Sequence, residues 1–243
     1  MKIVQYRLNT VSSTNTWAKE HLHQLDREGV TLVTADVQTA GRGRLQRSWF
    51  SPPSQNIYAS FCFFIPHSLR ASCCCLAQIS ALFIDELIQE QGLIATIKWP
   101  NDLLIQSKKV AGILVETCVE EAHLMVILGI GLNVNMSEDD LLLIGRPATS
   151  LRVEANKTFD REGLLQDLQA KFLRDYDLFL KAGFSPFFEK YAKKVQGLIG
   201  KEMTLNQGHE QWRGVIEALT EVGFLQVRLA DGSLKVASSA ELL

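Results

Sequence analysis

Apolar positions recur along this chain in two rhythms, one of period two and one of three to four. Residues 2–8 and 31–35 read as short strands flanking a helix, because Ser13 or Thr14 caps the run Trp17–Leu25 and Gly29 ends it. The chain therefore opens β-α-β. Ile57–Ile65, bounded by Asn56 and Pro66, is a β-rich run that predicts a buried strand. Leu76, Ile79, Phe83 and Leu87 then mark an amphipathic helix that Gly92 closes. Ile94–Lys98, Leu103–Ile105, Val110–Val115 and Leu124–Ile130 are short apolar runs between polar turns, the pattern of consecutive strands in one sheet. Leu165, Leu168, Phe172, Tyr176 and Phe179 form a second helical stripe ending near Gly183, and Phe184–Val195 continues as a shorter helix. Beyond Val195 the texture changes to short strand candidates at Met203–Leu205, Arg213–Ala218, Phe224–Leu229 and Leu234–Ala237. Asp231-Gly232 stands where a tight hairpin turn belongs. The pattern predicts a mixed α+β domain over residues 1–194 and a small β-barrel over 195–243.

The chemistry gathers where this periodicity fails. Between Ala35 and Trp49 lies Gly41-Arg42-Gly43-Arg44-Leu45-Gln46-Arg47-Ser48-Trp49, with no acid after Asp36. Glycines let backbone approach a ligand, and three arginines offer forked donors to phosphate or carboxylate. The loop is expected to stay mobile until an anion neutralises it. Trp49 offers a flat face for a nucleobase, the alternative being a solvated basic loop that ends in a core tryptophan. Lys98-Trp99-Pro100-Asn101-Asp102 follows a strand, and Pro100 takes the chain out of the ladder, so Lys98 and Asn101 sit at a strand end. A lysine within an apolar strand is costly to bury without an anion, although a satisfied structural lysine fits the same residues. Lys108-Lys109 before Val110-Ala111-Gly112 repeats the arrangement, or marks an ordinary hairpin.

Other nucleotide motifs fail. Gly129-Ile130-Gly131-Leu132-Asn133 lacks the third glycine of a dinucleotide fingerprint, and Gly200-Lys201 is followed by Glu202 rather than the Ser or Thr of a P-loop. No G-x-S-x-G elbow occurs, and no motif pairs a cysteine with a histidine. His21 and His23 have no further ligand at metal-binding spacing, so no protein-built metal site is predicted.

Taken together, Ser13-Thr14-Asn15, Gln38 with the Gly41–Trp49 loop, Lys98–Asp102, Lys109–Leu114 and Gly129–Asn135 occur in the order and spacing of biotin protein ligases. The resemblance covers nearly the whole chain. The family's loop reads G-R-G-R-x-G-R-x-W, and this chain matches every fixed position except one, where Gln46 replaces glycine. The resemblance implies an α+β catalytic domain related to class II aminoacyl-tRNA synthetases, plus an SH3-like C-terminal barrel. It implies ATP-dependent conversion of biotin to biotinyl-5′-AMP, then transfer to a lysine of a biotin carboxyl carrier domain of acetyl-CoA carboxylase, with Mg²⁺ arriving on ATP. On this resemblance Lys98 and Arg44 are catalytic. Ser13, Thr14, Asn15, Gln38, Gly41, Arg42, Gly43, Arg44, Lys98 and Gly112 would bind biotin, and Arg44, Arg47, Trp49, Asn101, Lys109 and Asn133 the nucleotide. A lipoate or octanoate ligase of related fold is the alternative, and a non-enzymatic RNA-binding module is the alternative of another class.

Composition narrows this further. The 243 residues, 47% hydrophobic and 21% charged, suit an ordinary globular chain and exclude a disordered or collagen-like one. A net charge of −2 removes bulk attraction to nucleic acid or anionic membrane, so charge-driven binding is local. The N-terminus lacks the apolar segment of a signal peptide, and Ile57–Ile65 and Leu124–Ile130 are too short to span a bilayer. A cytoplasmic protein, monomer or homodimer, is expected, without DNA or membrane partners. Ser13 lies too near the start for the helix-turn-helix domain of bifunctional repressor-ligases. Five cysteines without C-x-x-C spacing read as reduced thiols.

Overall fold

The computed structural model describes every residue except Met1, Glu121, Ala122, His209, Ser239 and Leu243. Seven strands form one mixed sheet: β1 (Ile3–Val11), β2 (Val30–Gln38), β3 (Ile57–Pro66), β4 (Thr96–Lys98), β5 (Asp102–Ile105), β6 (Lys108–Glu120) and β7 (His123–Leu132), in the order β1-β2-β3-β7-β6-β5-β4. Only β1 and β2 run parallel, because α1 (Thr14–Glu20) carries the chain back between them; the other pairs are antiparallel.

Side-chain alternation along the central strands assigns the two faces of the sheet. Ile57, Ala59, Phe61, Phe63 and Ile65 of β3 and Leu124, Val126, Leu128 and Ile130 of β7 join one large core. The helices α2 (Leu76–Glu90), α5 (Arg161–Ala182) and α6 (Ser185–Val195) supply its other side. Phe172 of α5 stacks on Phe61 at 4.1 Å, and Asp85 of α2, though 1% exposed, is compensated by Lys194 of α6 at 2.7 Å. The opposite phase of these two strands and of the neighbouring β6 carries Cys62, Met125, Ile127 and Cys118 against Ala18 of α1. Tyr58, Ser60, Gly112, Leu114, Glu116, Gly129 and Gly131 share that phase further along, so the second face changes from apolar packing to polar and glycine positions. The site lies there.

The helix α3 (Glu138–Leu142), closed by a Ser137–Asp140 capping box, and α4 (Leu151–Ala155) fall where the pattern predicted nothing, each too short to show a helical period. After α6 the strands β8 (Glu202–Gln207), β9 (Glu210–Leu219), β10 (Leu225–Leu229), β11 (Leu234–Ala237) and β12 (Glu241–Leu242) form a five-stranded antiparallel sheet, order β11-β10-β9-β8-β12. Asp231-Gly232 makes the β10–β11 turn, with Gly232 at φ +83°. By length and composition alone the segment His67–Glu90 could cross a membrane, a test that a buried core helix also passes. Most of it is buried as the core helix of this fold. Cys62, Cys73 and Cys75 are buried free thiols, while Cys74 and Cys118 are half-buried.

Candidate active site

A cavity of about 300 Å³ opens on the polar part of that second face. One end is neutral. Ser13 stands at the N-cap of α1, but its hydroxyl makes no capping bond and lines the cavity instead. The Thr14 amide donates to Gln38 Oε1 at 2.9 Å, and Gln38 Nε2 donates to Ser51 at 3.0 Å. Ser60 Oγ lies 2.7 Å from Thr14 Oγ1 and 2.6 Å from Asn15 Oδ1, and Asn15 Nδ2 donates to Glu116 Oε2 at 2.9 Å. Ser13, Thr14, Asn15 and Ser60 are each at most 3% exposed, and this network holds the dipoles of Thr14, Asn15 and Ser60 in fixed orientations.

The other end is cationic. Arg42, Arg44, Arg47, Lys98, Lys109 and Arg146 line the cavity, against Asp102 as its single carboxylate among the described residues. Arg44 donates to Asn101 Oδ1 at 2.7 Å, and Asn101 Nδ2 donates to Ile113 O at 2.8 Å, which ties the basic loop to the β4–β6 hairpins. Lys109 pairs with Asp102 at 2.6 Å. Burial depresses the Lys109 ammonium below its ordinary value, with Asp102 opposing that shift.

The floor is made by missing side chains. A Cβ on Gly131 would lie 2.5 Å from Trp49 Cε2, one on Gly112 would lie 2.8 Å from Trp49 Cζ3, and one on Gly129 would lie 2.4 Å from Asn15 Oδ1. Register puts Gly112 opposite Gly131, so two glycines on neighbouring strands form one slot for the indole. Lys109 Nζ sits 5.2 Å from the Trp49 ring centroid, and Trp49 Nε1 is buried without a hydrogen-bond partner among the described residues.

Residues 8–133, more than half of the chain, match the biotin/lipoate A/B protein ligase family, and residues 198–242 match the biotin protein ligase C-terminal domain. The chain belongs to this family. Among its relatives, the bifunctional ligase/repressor BirA of Bacillus spizizenii is 34% identical over 238 residues, covering 95% of this chain and 71% of that protein. The biotin–[acetyl-CoA-carboxylase] ligase of Paracoccus denitrificans is 29% identical over 206 residues, covering 82% and 85%. The biotin protein ligase of Aquifex aeolicus, solved in complex with biotin and ATP, superposes with a TM-score of 0.78 at 28% identity over 99% of this chain and 98% of that one.

Within this ligase fold, the structure gathers Ser13, Thr14, Asn15, Gln38, Arg42, Gly43, Arg44, Arg47, Trp49, Lys98, Asn101, Lys109 and Gly112 around one cavity. Gly41 supports it from behind, since a Cβ there would meet Trp49 O at 2.5 Å. The structure adds detail at four points. Lys98 is exposed at the rim of the cavity rather than buried, because β4 is a three-residue edge strand. Gly112 lines the cavity, and the space a Cβ would take there is filled by Trp49 and Lys109. Asn133 is absent from the cavity lining: it sits in a recess behind Trp49 and spends its amide on Thr149 O at 3.0 Å. The basic loop is not without an acid, for Glu116 accepts from Arg42 at 3.0 Å and Lys19 at 2.6 Å. Its own turn is hydrogen-bonded, Gly43 N to Arg47 O at 2.7 Å and Trp49 N to Gly41 O at 2.8 Å.

Ser60, Glu116 and Arg146 were not legible as site residues. Ser60 carries a signal in retrospect, as a hydroxyl inside the apolar run Ile57–Ile65. Glu116 and Arg146 carry none: strand pairing sets Glu116 beside Asn15 and Arg42, and the bridge of Ala148 to Lys109 brings Arg146 to the cavity.

Proposed function

We propose that this chain joins biotin to ATP as biotinyl-5′-AMP and then transfers the biotinyl group to a lysine of a carrier domain of the acetyl-CoA carboxylase type, in the cytoplasm. The observation that carries this reading is the polarity of one continuous cavity, neutral hydrogen-bonding groups at one end and a cationic cluster at the other. A cyclic urea needs paired neutral donors and acceptors, which Ser13, Thr14, Asn15 and Gln38 supply. Carboxylate and triphosphate are anions that repel each other, and Arg44, Lys98 and Lys109 offset that repulsion where the two must meet.

In the first step a biotin carboxylate oxygen attacks the α-phosphorus of ATP and pyrophosphate leaves. Lys98 at the rim bridges the two reacting anions. In the second, the carrier's lysine amine attacks the acyl carbon, an amide forms and AMP leaves. Arg42, Gly43 and Arg44 cover the mixed anhydride, which water otherwise hydrolyses. Trp49 offers its open face to adenine, Arg47 and Asn101 flank the phosphates, and Asn133 braces the segment behind Trp49. Mg²⁺ would enter with the triphosphate: among the described residues the one carboxylate lining the cavity, Asp102, is engaged by Lys109 and makes no cage.

The relatives named as biotin ligases, and the match of residues 198–242 to the biotin-ligase C-terminal domain, support biotin over lipoate. Incubating the protein with labelled biotin, MgATP and a carrier-domain fragment tests the reading. Biotinyl-5′-AMP, pyrophosphate and a biotinylated lysine are expected. Turnover with lipoate but none with biotin would overturn it.

A further inference from the structure

One turn of the C-terminal sheet is gripped by donors from the catalytic part of the chain. Trp99 Nε1 donates to Gly223 O at 3.1 Å, and Gln78 Nε2 donates to the same oxygen at 2.5 Å. The Cys75 thiol donates to Val222 O at 2.9 Å. With two donors on its two lone pairs, the Gly223 carbonyl is saturated. The turn is closed on itself as well, Gly223 N to Thr220 O at 2.7 Å and Thr220 N to Phe224 O at 2.8 Å. Gly223 has φ +75°, and a Cβ there would stand 1.8 Å from Gln78 Oε1, so only glycine presents this carbonyl to the indole without displacement.

Trp99 is 1% exposed, among the largest fully buried side chains, and lines the cavity directly after Lys98. Lys98 itself ends a three-residue strand at the sheet edge, paired with β5 alone. Among the described residues no hydrogen bond or ion pair holds its ammonium. Its placement therefore depends on the backbone that carries it, which is held by the β4–β5 pairing on one side and by the buried, hydrogen-bonded indole of Trp99 on the other. We propose that Trp99 is a positioning residue: its indole N–H, held by Gly223 of the small sheet, fixes Lys98 at the rim of the cavity and makes the C-terminal sheet part of the catalytic apparatus. The inference rests on the proposed adenylate chemistry.

Trp99→Phe keeps an aromatic ring in the core and removes the donor; Gly223→Ala displaces the acceptor from the other side of the link. Rates of pyrophosphate release are counted per molecule that binds biotin, so loss of folded protein does not enter them. Each variant is expected to lower kcat for adenylate formation by ~10–100-fold, the scale of a small misplacement of a reacting group, with KM for biotin within twofold of wild type. Because both break one link, the double variant should be no slower than the slower single. A wild-type kcat in Trp99→Phe, a loss confined to thermal stability, or multiplicative losses in the double variant would each overturn the positioning role. Wild-type protein that forms no biotinyl-5′-AMP would instead refute the proposed function, which separates the two failures.

Discussion

Glu116 on β6 accepts from the guanidinium of Arg42 at 3.0 Å across 74 residues of sequence, and the same carboxylate accepts from Asn15 at 2.9 Å. One acid thus ties the basic loop to the neutral end of the cavity. Burial alone would raise the Glu116 carboxyl; hydrogen bonds from Lys19 and Asn15 and the charge of Arg42 outweigh it and hold the group below the ordinary carboxylate range.

Glu116→Gln keeps an acceptor for Asn15 but removes the charge that restrains Arg42. Cleavage by trypsin after Arg42, Arg44 or Arg47 in the unliganded protein should accelerate by about fivefold, as for an ion pair worth ~1 kcal/mol. The sign with pH follows from a depressed acid. The restraint is fully present above the unfolded carboxylate pKa of about 4.3 and is lost as pH falls through the lower folded value. Acid should therefore bring the wild-type cleavage rate towards that of Glu116→Gln measured at the same pH, the ratio of the two cancelling the protease's own pH dependence. Biotin plus ATP should suppress cleavage in both. Identical rates in the two proteins at neutral pH would remove the latch.

Gln46 stands where the family loop carries glycine, and its φ is +60°, beside Leu45 at +53°. A side chain with a Cβ is strained in this region, so Gln46→Gly should stabilise the closed loop by about 1 kcal/mol despite its greater unfolded freedom. Slower escape of biotinyl-5′-AMP into the medium is the readout. Gln46→Ala, which keeps the Cβ, should show no gain; an equal gain would place the effect elsewhere than in backbone strain.

Gly131→Ala puts a methyl into the indole slot. Overpacking of this kind costs ~1–3 kcal/mol unless Trp49 moves, and moving it removes the proposed adenine platform. KM for ATP is expected to rise by tenfold or more with KM for biotin nearly constant, accompanied by a shift in the fluorescence of one of the four tryptophans. Unchanged ATP kinetics would show that Trp49 serves packing alone.

Lys98→Ala should slow adenylate formation by ~10²–10³-fold, the scale for losing one group aimed at developing charge, while thermal stability stays near wild type because Lys98 is exposed. Near wild-type pyrophosphate release would sink its assignment.

Much of this protein was written in local pattern. Periods of two and of three to four residues placed the seven strands of the large sheet, its long core helices and the four main strands of the small sheet, because those periods reflect which side of an element meets water. The loop Gly41–Trp49 and the segment Lys98–Asp102 were legible as chemistry for a related reason: clustered glycine, arginine and lysine interrupt the apolar rhythm and demand an explanation that packing does not supply. Tertiary structure alone decided the rest. Strand register set Gly112 opposite Gly131 and so made a slot for Trp49; strand order brought Glu116 to Arg42; the docking of the small sheet gave Trp99 its acceptor at Gly223. Each of these depends on residues dozens of positions apart. Local periodicity records how a residue faces its own element, whereas a site is assembled from the faces of several.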